Sequence, residues 1–264
     1  MKKLALLLAL VTATTACFTG CAKKDGGKQI GVITYAVEAG SAGEEVAKEK
    51  GYQYNAVSSQ ADALMEVNSG TSNAAIIDLL MAGAMIGEGT SYPDLKYTTR
   101  LTEEEYGVGC RKDSDLASFI NEFFYESYKD GFMLETAKKY GVQETLFEQP
   151  EAKYESSSDS DVEKIKKNGK LIVGITDFAP MDYKDSNDEW IGFDADMAKK
   201  LGEKLGVKVE FVEIDWDAKI MELNSGNIDV VWNGMTLTDE VKSSMNCSNP
   251  YCKNAQVVVE KIKK

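Results

Sequence analysis

The chain contains no histidine, five cysteines and two arginines, Arg100 and Arg111. Without histidine there is no Ser-His or Cys-His nucleophile pair, no histidine general base and little means of building a zinc site. What is left for chemistry is carboxylates, backbone amides at glycine-rich turns, and aromatic rings. Glu38 follows the apolar run "KQIGVITYAV", and the next stretch, "AGSAGEEVAKEKG", is a glycine-rich turn leading into a helix with glutamates in its first turn. An isolated glutamate at a strand end is ordinarily solvated. Aromatics at strand ends, such as Phe178 and Trp216, ordinarily join a core.

The elements that would position these groups come from a chain of 264 residues, 43% hydrophobic and 28% charged, a composition that suits one large core or two modest ones. The formal charge of −13 opposes binding to nucleic acid or to anionic lipid headgroups. The N-terminus "MKKLALLLALVTATTACFTGC" pairs two lysines with a short apolar run and small residues, the architecture of a secretory signal. Its ending "FTGCAKK" resembles the lipobox of bacterial lipoproteins. Residues 1–20 are therefore expected to leave as a signal peptide, with Cys21 lipidated and 21–27 serving as a tether; cleavage to a freely secreted protein is the alternative. Cys110, Cys247 and Cys252 then remain, an odd number that defines no disulfide framework. Cys247 and Cys252 in "CSNPYC" are expected as thiols flanking a turn.

Strand, turn and helix signals alternate along the rest. "SSQADALMEVNSGTSNAAIID" reads as a helix closed by Ser-Gly and followed by a buried strand. The pattern restarts after a polar stretch, with strand "KLIVGIT", hairpin "YKDSNDEWIGF", helix "DADMAKKLGEKLG", strand "KVEFVEI", and helix and strand "WDAKIMELNSGNIDVVWNG". "ALMEVNSGTSNAAIID" and "KIMELNSGNIDVVWNG" echo each other. Repeated βαβ units predict an α/β protein of two similar lobes, with ligands held at the carboxyl ends of the strands in a cleft between them.

The string "GFDADMAKKLGEKLGVKVEFVEIDWDAKIMELNSGNIDVVWNGMTLTDE", with "CSNPYCKNAQVVVEK", resembles the polar-amino-acid family (family 3) of extracytoplasmic solute-binding proteins that serve ABC importers. "AGSAGEE", "SGTSNAAIID" and "TEEEYGVGCRK" resemble the remainder of the same family, in the reverse order. The resemblance implies a two-lobed periplasmic-binding-protein-like fold of type II, circularly permuted, with a ligand cleft between the lobes. Residues 28–103 would form the small lobe and 104–264 the large one, including a joining segment at 148–168. Two truncated half-copies are the competing account, and an engineered permutation stays open.

The resemblance also implies a site. Phe178 and Trp216 would pack against the ligand, with Asp177 as an approximate match to a nearby acid. Gly234 and Thr236 would offer a backbone group and a hydroxyl; Gly40, Ser41 and Ala42 would offer helix-opening amides to a carboxylate. Asp78 would accept the ligand's ammonium, with Glu38 as a possible second anion. The arginine that grips the α-carboxylate in the family is replaced by Val241, and Arg111 reads as structural. The expected function is capture of an amino acid or amine, of net positive character or zwitterionic, and delivery to an ABC permease. The protein would be an extracytoplasmic monomer held at the membrane by its lipid alone, with no cofactor, metal or nucleic acid. A dehydratase-like enzyme acting on a small carboxylic acid is the alternative, and a receptor's sensor lobe a third possibility.

Overall fold

The computed structural model describes residues 32–263. The signal segment, Cys21 and the tether lie outside them. The chain begins β1 (Thr34–Glu38), α1 (Ala42–Glu49), β2 (Gln53–Val57), α2 (Gln60–Ser69), β3 (Ala74–Asp78), α3 (Leu79–Met85) and β4 (Leu95–Arg100). Next come β5 (Glu104–Cys110), α4 (Leu116–Asp130), α5 (Phe132–Tyr140), α6 (Asp161–Asn168) and β6 (Lys170–Ile175). A hairpin, β7 (Tyr183–Lys184) with β8 (Trp190–Ile191), leads to α7 (Phe193–Leu205), β9 (Lys208–Glu213), α8 (Lys219–Ser225) and β10 (Val230–Thr236). The chain closes with α9 (Asp239–Ser244), β11 (Asn246–Cys247), β12 (Cys252–Asn254) and β13 (Gln256–Lys261).

Two sheets organise these elements, as expected of a two-lobed α/β chain. The first has the order β2-β1-β3-β13-β4; the second has β11-β5-β10-β6-β9, with β12 also paired to β5. Within them β1 runs parallel to β2 and β3, and β6 runs parallel to β9 and β10, so helices must cross between these strands and cover the sheet faces. That is why "AAII" is apolar before the strand ends at Asp78: all five residues of β3 are buried, with Leu64, Ala82 and Val257 in the core on one face and Val37, Ala47 and Val258 in the core on the other. The second sheet packs Phe124, Phe193 and Tyr251 on one side and Leu223, Ile228 and Met235 on the other. The helices α2 and α8 both end on a left-handed glycine, Gly70 (φ 86°) and Gly226 (φ 79°), the shared Ser-Gly cap of the internal echo.

The chain passes between the sheets twice, at Leu101–Glu103 after β4 and at Ala255 before β13. Leu101 N–H donates to the Gln256 carbonyl (2.8 Å) and Gln256 N–H to Thr102 Oγ1 (2.7 Å), which ties the two crossings side by side. The second crossing corrects the expected boundaries. Residues 256–261 do not stay with the rest of 104–264, because β13 fills the slot between β3 and β4, antiparallel to both. Its Val257, Val258 and Val259 are buried there, a placement that only long-range pairing sets. The polar stretch before α6 lies along α4: Tyr154 O–H donates to Asp115 Oδ2 (2.8 Å) and its backbone N–H to Glu122 Oε1 (3.1 Å). Cys110, Cys247 and Cys252 are all free thiols. Among the described residues no helix is long and apolar enough to cross a membrane.

Candidate functional site

The carboxyl ends of strands in both sheets face one cavity. From the first sheet come Glu38 at the end of β1, the loop Gly40–Ser41–Ala42, Gln60 and Asp78 at the end of β3. From the second come Phe178 after β6, Trp216 and Lys219 around the start of α8, Asn233 to Thr236 at the end of β10, and Thr238, Glu240 and Val241. The cavity is about 30 Å³, roughly the share of one water molecule. Its walls touch across it: Lys219 Nζ donates to the Gly40 carbonyl (2.8 Å), and Thr238 Oγ1 to Glu45 Oε1 (3.4 Å). A Cβ on Gly40, whose φ is +69°, would lie 2.6 Å from Asp217 Cα, so only glycine lets the loop approach this closely. This is a cleft in its closed form.

The carboxylates of the cleft differ in their surroundings. Asp78 is 4% exposed and its oxygens accept from Tyr106 O–H (2.7 Å), Gln256 Nε2 (3.1 Å), Asn254 Nδ2 and Gln60 Nε2. Burial first, then the nearby Glu104, raises its pKa to about 7 despite these donors. Glu38, also 4% exposed, is pushed up to about 8, by burial and then by the charge of Asp78. Lys219 is the cation in their midst, with its Nζ 4.9 Å from the Trp216 ring centroid. Burial lowers its pKa, and Glu240, Glu38, Glu45 and Asp217 pull the other way. A bound ammonium would favour the charged forms of Glu38 and Asp78, so its arrival should drive protons off them.

Nine of the ten residues singled out from the sequence line this cavity: Glu38, Gly40, Ser41, Ala42, Asp78, Phe178, Trp216, Gly234 and Thr236. Asp177 does not, which corrects that expectation. It is exposed, one residue past the inward-facing Thr176 and one before the buried Phe178, and its neighbours are Glu213 and Lys184 outside the cleft. Several of the nine are already engaged. Gly40 N–H donates to Glu44 Oε2 (2.8 Å), and Ser41 Oγ accepts from Glu44 N–H (3.2 Å) while donating to the Glu38 carbonyl (2.7 Å). Gly234 N–H donates to Asp194 Oδ2 (2.6 Å), and Thr236 Oγ1 to Glu104 Oε2 (3.0 Å). Phe178 is held edge-on to Tyr106 (6.5 Å between centroids, 70°) and would meet any Cβ at Gly234 within 2.5 Å.

Neither arginine reaches the cleft. Arg111 is structural, as expected, bound to Asp161 (3.0 Å), the Ile228 carbonyl (2.9 Å) and Asp229 (3.3 Å), while Arg100 binds the Thr102 carbonyl (3.2 Å). Val241 is 4% exposed and belongs to the apolar core below α9. The sequence reading missed Lys219, Gln60, Glu45, Asn233 and Glu240. For Gln60 and Lys219 the only signal was position, each standing at the first residue of its helix, α2 and α8. Among the described residues no cluster of three or more acidic or cysteine side chains is arranged to hold a metal ion.

Residues 171–264 match the family model of bacterial extracellular solute-binding proteins, family 3. The chain is similar to a probable histidine-binding protein of Neisseria gonorrhoeae, 40% identical over 88 residues, covering 33% of each chain. It is also similar to the arginine-binding extracellular protein ArtP of Bacillus subtilis, 38% identical over 106 residues, covering 40% of each. Among solved structures it is similar to the ancestral amino acid-binding protein AncCDT-1, a precursor of cyclohexadienyl dehydratase, with 47% identity and a TM-score of 0.31; the match covers 32% of this chain and 37% of that one. The chain thus spans about a third to two-fifths of the length of the curated relatives it matches.

Proposed function

We propose that the chain captures a small amino acid or amine outside the cell and passes it to an ABC permease, a reading supported by the match of residues 171–264 to the family model of bacterial extracellular solute-binding proteins, family 3. The observation that supports this best is the meeting of Glu38 and Asp78, from one sheet, with Phe178, Trp216 and Lys219, from the other, around a single closed cleft. Buried carboxylates beside aromatic faces suit an ammonium group. The carboxylates Glu38, Glu45, Asp78 and Glu240 outnumber the one lysine, which favours a ligand of net positive charge. Opening would swing the sheets about the paired crossings at Leu101–Glu103 and Ala255, and closure would desolvate the ligand between them.

In this reading the sheets are the two lobes, joined in circularly permuted order through 148–168, and Cys21 carries the lipid that holds the monomer at the membrane. A thermal-shift screen of amino acids and amines tests the function. A ligand that binds only the folded state raises the melting temperature with its concentration. Basic amino acids should give the largest shifts, and a response confined to acidic compounds would overturn the reading. A second reading, a dehydratase-like enzyme, is favoured by one observation: Glu38, raised to about 8, could serve as an acid or base near neutrality. Turnover of a bound carboxylic acid would select it.

A further inference from the structure

Lys219 has a position that no lobe-closing role alone explains. It is 6% exposed, and its ammonium carries three donors, two of which go to the Gly40 (2.8 Å) and Trp216 (3.1 Å) carbonyls. Among the described residues no carboxylate lies within 4.0 Å of it, although every other buried or half-buried cation of the second sheet's helices whose contacts are given, such as Lys204 on Glu122 (3.2 Å), has one. A buried cation without an ion-pair partner is costly, and the deficit is met when an anion arrives. The ammonium lines the same cavity as Glu38, Gln60 and Asp78. No arginine shares that cavity, since Arg100 and Arg111 are bound elsewhere.

We propose that Lys219 is the specificity-determining residue that receives the ligand's carboxylate, so that the cleft selects amino acids over the corresponding decarboxylated amines. This rests on the binding function proposed above and specifies which part of the ligand each wall holds. The carboxylate pairs with Lys219 from α8 on the second sheet's side. The α-ammonium faces the Glu38 and Asp78 side, where Gln60 orients Asp78. A ligand so held bridges the two sheets, and the carboxylate takes up the Lys219 donor left over, among the described residues, by the Gly40 and Trp216 carbonyls. The neighbouring Glu240 and Glu45 then lie nearest to any second positive charge on the ligand, which is why a basic side chain fits better than an acidic one.

The test uses the full chain and three matched pairs of probes: L-arginine and agmatine, L-lysine and cadaverine, L-histidine and histamine. Affinities are measured by calorimetry for wild type, Lys219→Met and Lys219→Arg. Methionine preserves the buried stem, and Lys219→Gln provides a second neutral variant if the first melts early. For whichever pair binds, wild type should prefer the amino acid, and Lys219→Met should weaken that amino acid about 10- to 100-fold. The amine should be nearly unaffected, and Lys219→Arg should restore the preference. Equal weakening of both partners, tightening of both, or an unchanged preference in Lys219→Met would overturn the role of Lys219 and leave the binding function standing. Failure of all three pairs to bind wild type would overturn the preference for a positively charged ligand proposed above, and this proposal with it.

Discussion

Two regions of the molecule bury carboxylates whose pKa is raised, and they are built to opposite ends. Beneath the cleft, Asp182 and Asp194 are each 0% exposed. Asp194 accepts from Gly234 N–H (2.6 Å) and Tyr251 O–H (2.7 Å), whereas both Asp182 oxygens lack a hydrogen-bond partner. Burial, then Asp194, drives the Asp182 pKa well above its ordinary value, which favours the neutral acid. In the cleft, Glu38 and Asp78 are raised by the same desolvation, yet they share a cavity with Lys219 and two aromatic rings. A raised pKa therefore marks burial in both regions; only the convergence of both charge signs on a cavity marks a site.

This contrast can be broken by mutation. The largest stability effect should come from Asp194→Ala, which leaves Gly234 N–H and Tyr251 O–H unpaired in the core. A loss of about 2–4 kcal/mol in urea unfolding is expected, with little change in the affinity of the protein that stays folded. Glu38→Gln should do the reverse, weakening an ammonium ligand about 10- to 100-fold while stability is kept or gained.

The gain in Glu38→Gln should depend on pH in a fixed direction. An acid whose pKa is higher in the folded state binds more protons there, so its contribution is fully present below the unfolded value near 4.5 and is lost as pH rises through about 8. Melting temperature should accordingly fall for wild type between those limits and fall less for Glu38→Gln. Acids lowered by hydrogen bonds, such as Asp115, act oppositely and only at lower pH. A smaller effect is expected of Gly40→Ala, where the new Cβ meets Asp217 and the left-handed φ is strained. About 1–2 kcal/mol of closure should be lost, read as weaker ligand binding. The smallest belongs to Asp177→Asn, on the outside of the loop, with stability within about 0.5 kcal/mol and unchanged binding.

Local chemistry made much of this legible in the sequence. The apolar runs of β3 and β6, the Ser-Gly caps at Gly70 and Gly226, and the hairpin before α7 follow from periodicity and turn residues alone. The cleft residues were recognisable through their family pattern because they sit at strand ends, which topology brings together. What was hidden depends on packing between distant segments. Asp177 fails by one residue, since the chain turns inward at Thr176 and Phe178 and outward between them. Lys219 looks like any solvated lysine at a helix start, until Gly40 from the other sheet closes over it, 179 residues away. The slot taken by β13 exists only once β3 and β4 are both in place.

The most direct measurement is a calorimetric titration at pH 7 with the basic amino acid that gives the largest thermal shift, repeated in buffers of different ionisation enthalpy. Glu38 and Asp78, raised to about 8 and about 7, hold protons that an arriving ammonium must displace. Net proton release on binding, reduced in Glu38→Gln, is the predicted result. Binding without proton release, or with proton uptake, would contradict the placement of the ligand's ammonium against these two carboxylates.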